Sequence, residues 1–186
     1  MSRRHGLIAL CGLLFAVLVI RVDAAFAETV EPTVFARLGP VVLHGNEADA
    51  LTVGLGAFDI GATHTSPAAN GEYRFGRKLF FIGPSYGLVA NTDGGLVGYV
   101  NAYMDLSYRD VYLTPQVGIA GYREGAGRDL GGIFQFRAAG DLTYRFANGM
   151  RLGVRLAHVS NANTSDPNPG EEEIYLIGTI ALGPFY

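Results

Sequence analysis

The chain has 186 residues, a formal net charge of −3, 49% hydrophobic residues and 26 glycines. Mild acidity without a basic stripe excludes nucleic acid as a partner. A mean hydropathy of +0.22, with no apolar run of ~18 residues after the N-terminal stretch, leaves a soluble all-β domain or a membrane β-barrel.

The N-terminus reads as a secretory signal peptide over residues 1–27. Arg3 and Arg4 form the positive region, Leu7 to Ile20 the apolar one, and Ala25-Phe26-Ala27 supplies small residues for cleavage. Gly6 stands where the twin-arginine route wants a large apolar residue, and barrels are exported unfolded, so Arg3-Arg4 does not indicate that route. The single cysteine, Cys11, lies inside the apolar stretch. The mature chain is therefore expected to carry no thiol or disulfide chemistry.

Residues 28–49 contain Pro32, Gly39, Pro40 and Gly45 and read as an extended pre-barrel segment, with an extra strand around Val41 left open. Residues 50–186 read as an all-β fold, an eight-stranded antiparallel transmembrane β-barrel of the outer-membrane type. The expected strands are roughly 50–61, 70–78, 80–91, 95–108, 110–121, 130–146, 150–160 and 172–186. Apolar and polar residues alternate with period two in these segments. From Leu96 to Leu106 the even positions are Leu96, Gly98, Val100, Ala102, Met104 and Leu106, against Tyr99, Asn101, Tyr103 and Asp105 at odd ones. Such a segment matches the ~9 to 11 residues a tilted membrane strand needs, beyond the ~5 to 6 of a globular strand. The same alternation recurs in Val111 to Ile119 and Phe134 to Arg145, with charges on one face only. Asp105, Asp141, Arg137, Arg145, Arg151 and Arg155 are thus expected to pair inside a lumen that side chains fill, so no channel is implied.

Short breaks near Lys78, at Arg109-Asp110 and at Ala147-Asn148-Gly149 alternate with mostly longer Gly, Asn and Pro-rich loops at 62–70, 91–95, 121–129 and 161–171. That asymmetry is the outer-membrane pattern, with the longer loops extracellular. The final Phe185-Tyr186 resembles the terminal aromatic signature of such barrels.

Chemistry concentrates in His158-Val159-Ser160-Asn161-Ala162-Asn163, followed by Asn168-Pro169-Gly170 and Glu171-Glu172-Glu173. Met150, Leu152, Val154 and Leu156 put even residues of the seventh strand on the lipid face, so His158 and Ser160 continue outward; Ile174, Leu176, Ile180 and Leu182 do the same for Glu172. Residues i and i+2 lie ~6.5 to 7 Å apart along one face. Ser160 as nucleophile, His158 as base and Glu172 as the orienting acid make a hydrolytic trio, with Asn168 and the backbone N–H near Asn163 as oxyanion donors. The competing reading is a polar rim where the barrel leaves the membrane. A register slip of one would exchange Glu172 for Glu171 or Glu173. His44 and His64 read as solvated surface residues, no cluster has metal-ligand spacing, and Asp166 alone is a poor basis for calcium.

These residues resemble the PagL-type lipid A 3-O-deacylases. His158-Val159-Ser160-Asn161-Ala162, Asn168-Pro169-Gly170 and Glu172 carry the resemblance, and Asp129-Leu130-Gly131, Phe136-Arg137 and Tyr144 to Gly149 extend it over most of the barrel. It implies a Ser-His-Glu triad of Ser160, His158 and Glu172 on the outer wall, with Asn168 and the Asn163 backbone as oxyanion donors and Asn161 in support. The implied enzyme is an outer-membrane serine esterase without cofactor or metal. It would hydrolyse the 3-O-linked acyl chain of lipid A at the extracellular-leaflet side and release a 3-hydroxy fatty acid. Asn163 departs from the pattern, which has glycine there. The alternative is a non-catalytic small outer-membrane barrel, structural, adhesive or lipid-binding. A homodimer is compatible with the sequence and not specified by it.

Overall fold

In the computed structural model the described residues are 31–61 and 65–182. The signal peptide, Cys11, His64 and Phe185-Tyr186 lie outside them. Strands run in chain order β1 (Val34–Leu38), β2 (Val41–His44), β3 (Ala50–Phe58), β4 (Ser66–Arg74), β5 (Gly83–Asn91), β6 (Leu96–Tyr103), β7 (Leu106–Tyr108), β8 (Val111–Arg123), β9 (Phe134–Arg145), β10 (Arg151–Ser160) and β11 (Glu171–Ala181). Neighbours pair antiparallel from β3 to β6, β6 pairs β8, β8 pairs β9, and β9 to β11 follow. The pairing of β11 with β3 closes the ring, so β3, β4, β5, β6, β8, β9, β10 and β11 form an eight-stranded antiparallel barrel. Closure leaves no free sheet edge, which is the condition for strands to cross hydrocarbon. Among the described residues no helix is long and apolar enough to cross a membrane.

Alternation sorts the side chains. Along β10, Leu152, Val154 and Leu156 point out while Arg151, Arg155, Ala157 and Val159 are buried. Leu88, Val100, Leu113, Val117, Ile119, Phe136, Leu142, Leu176 and Ile174 join the outer belt, a surface that needs an apolar solvent.

Inside, charged side chains pair across the lumen. Arg155 donates to Asp141 at 2.7 Å, to Asn70 at 2.7 Å and to Glu72 at 3.0 Å, while Arg74 bonds Glu72 at 2.6 Å and also pairs with Asp141. Nearer the short turns, Lys78 and Arg151 share Asp105 and Glu47 at 2.8 to 2.9 Å. Arg137 bonds Glu173 at 2.7 Å and lies 4.2 Å from the Tyr99 ring centroid. Fully buried charges persist only when paired and hydrogen-bonded in this way.

Several sequence expectations shift. The second strand is Ser66–Arg74 rather than 70–78. Ser66-Pro67-Ala68-Ala69-Asn70 has turn composition, yet Ser66, Ala68 and Asn70 face inward as small lumen residues, and all of it pairs with β3. Lys78 belongs to the following turn region, where its ammonium is buried between carboxylates. The wall that begins as β6 breaks after Tyr103, and its continuation β7 takes β2 as its neighbour instead of β5. Residues 31–49 thus contain a hairpin, β1 with β2, docked at the short-turn end.

His44 corrects an expectation. It is not a solvated surface residue but 6% exposed, bonded through Nε2 to the Ser107 hydroxyl at 2.8 Å and stacked 5.1 Å from the Tyr112 ring. Burial pushes its pKa down to about 4. Arg145 likewise sits at the mouth and not within the lumen network. It holds Glu31 at 2.8 and 3.0 Å and draws that carboxyl below its ordinary range through the hydrogen bond.

Candidate active site on the outer wall

Antiparallel register sets His158 on β10 directly opposite Glu172 on β11. Both are even members of their strands, so both project from the outer wall, where side chains opposite one another have Cβ atoms ~4.5 to 5.5 Å apart. His158 Nδ1 and Glu172 Oε1 are 2.8 Å apart, with the side chains 47% and 60% exposed. A carboxylate can only accept, so the bond selects the tautomer with the proton on Nδ1 and leaves Nε2 as a free base.

Ser160 is the last residue of β10, two residues on along the same face. Its hydroxyl makes no hydrogen bond among the described residues.

The two neighbouring glutamates go elsewhere. Glu173 is buried against Arg137, and Glu171, also buried, accepts from the Asp59 backbone N–H at 3.2 Å. Alternation alone separates the three: one outside, two inside.

The loop from β10 to β11 supplies the remaining polar groups. Asn161 is fully buried and is its anchor, its Nδ2 lying 2.9 Å from the Leu130 carbonyl, 3.0 Å from Ser165 Oγ and 2.9 Å from the Pro167 carbonyl. Leu130 belongs to the β8 to β9 loop, so one amide ties the two loops together; Ser165 Oγ adds a bond to the Gly131 carbonyl. Ala162 and Asn163 follow with φ of +53° and +62°. This left-handed turn leaves the Asn163 N–H donating to nothing among the described residues. Asn168 returns over the turn: its Oδ1 accepts from the Asn161 N–H at 3.1 Å and its Nδ2 donates to Asn163 Oδ1 at 3.0 Å.

Gly170, which the sequence reading counted in the Asn168-Pro169-Gly170 motif without giving it a role of its own, lies beside His158. Its φ is +63°, and a Cβ there would lie 2.9 Å from His158 Cε1 and 3.5 Å from Nε2. The loop passes against the flat of the imidazole, and only glycine leaves room for it. Arg128 braces the same residue, donating to the Gly170 carbonyl at 3.2 Å and pairing with Asp59 at 3.1 Å. No signal in the sequence singled out Arg128.

No group of three or more His, Cys, Asp or Glu that could hold a metal occurs among the described residues. His158 and Glu172 stand exposed on the outer wall, and Ser160 is half-buried at the end of the strand.

The model of the family described as lipid A 3-O-deacylase (PagL) matches residues 56–177. Among solved structures, the crystal structure of the outer membrane enzyme PagL superposes with a TM-score of 0.57 at 18% identity, covering 72% of this chain and 99% of that one. The outer membrane protein Ail of Yersinia pestis, in a phospholipid bilayer nanodisc, gives a TM-score of 0.45 at 10% identity over 72% of this chain and 100% of that one. No curated protein matches.

Proposed function

The chain belongs to the lipid A 3-O-deacylase (PagL) family of outer-membrane barrels, and we propose that it is a serine esterase whose catalytic residues are Ser160, His158 and Glu172. The observation that carries this reading is the 2.8 Å bond between His158 Nδ1 and Glu172 Oε1 on a wall otherwise covered by apolar side chains. Polar groups bordering lipid are costly and call for a use.

In the proposed cycle Ser160 Oγ attacks the carbonyl carbon of the 3-linked ester as His158 Nε2 takes its proton. Glu172 stabilises the imidazolium and keeps the ring in its tautomer. The carbonyl π pair moves to oxygen, and the oxyanion is met by one N–H of the Asn168 amide and the Asn163 backbone N–H. Collapse expels the sugar 3-oxygen, which takes the proton from His158, leaving an acyl ester on Ser160. Water activated by His158 then hydrolyses that ester, releasing the fatty acid and restoring the serine.

The site stands at the end of β10 beside the longer loops, which supports placing it at the extracellular leaflet, where the acyl chains of lipopolysaccharide lie along the belt beneath His158. Ala138 is the residue opposite His158 on β9, and Phe136 is opposite Ser160.

The test is lipid A mass spectrometry on cells expressing the native chain or Ser160→Ala at equal levels in the outer membrane. The reading predicts loss of one hydroxyacyl chain with the native protein only. Identical profiles would favour a non-catalytic barrel, and deacylation surviving in Ser160→Ala would remove that serine from the mechanism.

A further inference from the structure

The Asn168 amide is held at both ends. The Asn161 N–H can only donate, so the Asn168 atom facing it at 3.1 Å is the oxygen; the other end is then the NH2 group, and the Asn163 atom facing that at 3.0 Å is in turn Oδ1. The chain of assignments is fixed by one backbone donor and runs one way. It consumes one of the two hydrogens on Asn168 Nδ2 and leaves the second directed away from the Asn163 side chain.

From this we infer that the side chain of Asn163 is a positioning residue for the oxyanion donor: its Oδ1 locks the Asn168 amide in the orientation that points an N–H at the reacting carbonyl oxygen. The inference rests on the proposed role of Asn168. It adds a function for the side chain of a residue whose backbone N–H alone entered that reading. Asparagine suits the position on two independent counts. Its φ of +62° lies in the left-handed region, which asparagine tolerates better than most residues. Its short amide also reaches the Asn168 NH2 at 3.0 Å, five residues further along the loop, where glycine would reach nothing. Held at its oxygen by the Asn161 N–H alone, the amide would rock about its last torsion and swing its NH2 off the line to the reacting oxygen. Holding it in advance removes that reorganisation from the catalytic step.

Asn163→Gly is the informative variant, because glycine keeps the left-handed backbone and the N–H while deleting only the side chain. In purified, folded barrels acting on lipid A, Asn168→Ala is expected to lower kcat by about 10²- to 10³-fold, as loss of one oxyanion donor does. Asn163→Gly is expected to lower kcat by roughly tenfold with KM little changed, and the double variant to be no slower than Asn168→Ala, since a positioning group is worthless without the group it positions. Native kcat in Asn163→Gly, or losses that multiply in the double variant, would overturn the inference while leaving the oxyanion reading intact. Native kcat in Asn168→Ala would overturn the oxyanion reading itself. Heat-dependent gel mobility, which reports barrel closure, should be unchanged in all three; an unfolded Asn163→Gly would assign the side chain to loop folding and contradict the positioning role.

Discussion

His158 is constrained on two sides by neighbours of opposite character. Glu172 fixes Nδ1, and the backbone of Gly170 lies against Cε1. Gly170→Ala forces a Cβ to within 2.9 Å of the ring at a φ of +63°, so the imidazole must turn off the carboxylate. Activity should fall by at least about tenfold, the scale of loss from a displaced catalytic group, in a barrel of native gel mobility; unimpaired turnover would show that the ring has slack. The three glutamates make a second contrast. Glu172→Ala should abolish most turnover and leave stability untouched, whereas Glu173→Ala strands Arg137 in the lumen and should cost about 3–5 kcal/mol, as breaking a buried pair does. Denaturant unfolding of both variants in lipid vesicles, beside their activity, would show whether the two effects separate. Which glutamate points outward was legible from alternation with Ile174 and Leu176. Gly170 was not, because contact with a ring across the loop is set by a backbone dihedral that Asn-Pro-Gly leaves open.

At the scale of elements, strand existence was readable wherever the outward residues were large and apolar, as in β6, β8, β9 and β10. The bounds slipped in β4, expected at 70–78, because its inward Ser66, Ala68 and Asn70 are small and buried in the lumen. Composition there resembles a turn, and only closure of the ring reveals the strand. The β1–β2 hairpin was legible only as the extra strand left open around Val41, which is β2, for a related reason: its partner, β7, exists only because β6 breaks near Asp105, where the carboxylate turns in to meet Lys78 and Arg151. His44 fastens this hairpin while neutral. Its pKa in the folded chain lies near 4 against 6.5 unfolded, so below pH 6.5 the unfolded form takes up a proton that the folded form refuses. Hairpin docking is thus fully supported above pH 6.5 and weakened as pH falls toward 4. Protease cleavage within residues 31–44 should rise between pH 7 and pH 5, and His44→Phe, which keeps the stack on Tyr112 without a titrating ring, should flatten that rise. An equal rise in the variant would assign the effect to another group.

The whole molecule combines two solvents with one alternating pattern. Outward residues meet lipid, inward ones form a charge network that would be unstable unpaired, and the proposed catalytic residues occupy the point where the outward pattern turns polar beside the longer loops. Arg155 is the centre of the inner network, joining β10 to Asp141 on β9 and to Asn70 and Glu72 on β4 across the lumen. Arg155→Met should therefore destabilise the barrel by about 3–5 kcal/mol because Glu72 and Asp141 lose a shared cation, with only an indirect effect on turnover. The balance of lumen charges was partly legible: Asp105, Asp141, Arg137, Arg151 and Arg155 stood out by parity. Their partners Glu47 and Lys78 did not, since both lie in irregular segments that carry no period. The central claim, that Ser160 is the nucleophile activated by His158 and Glu172 on the outside of the barrel, is tested most directly by labelling the folded protein with a fluorophosphonate and mapping the adduct by mass spectrometry. The account predicts one adduct, on the peptide containing Ser160, lost in His158→Asn and slowed in Glu172→Gln. An adduct on a different residue, or undiminished labelling of Ser160 without His158, would contradict it.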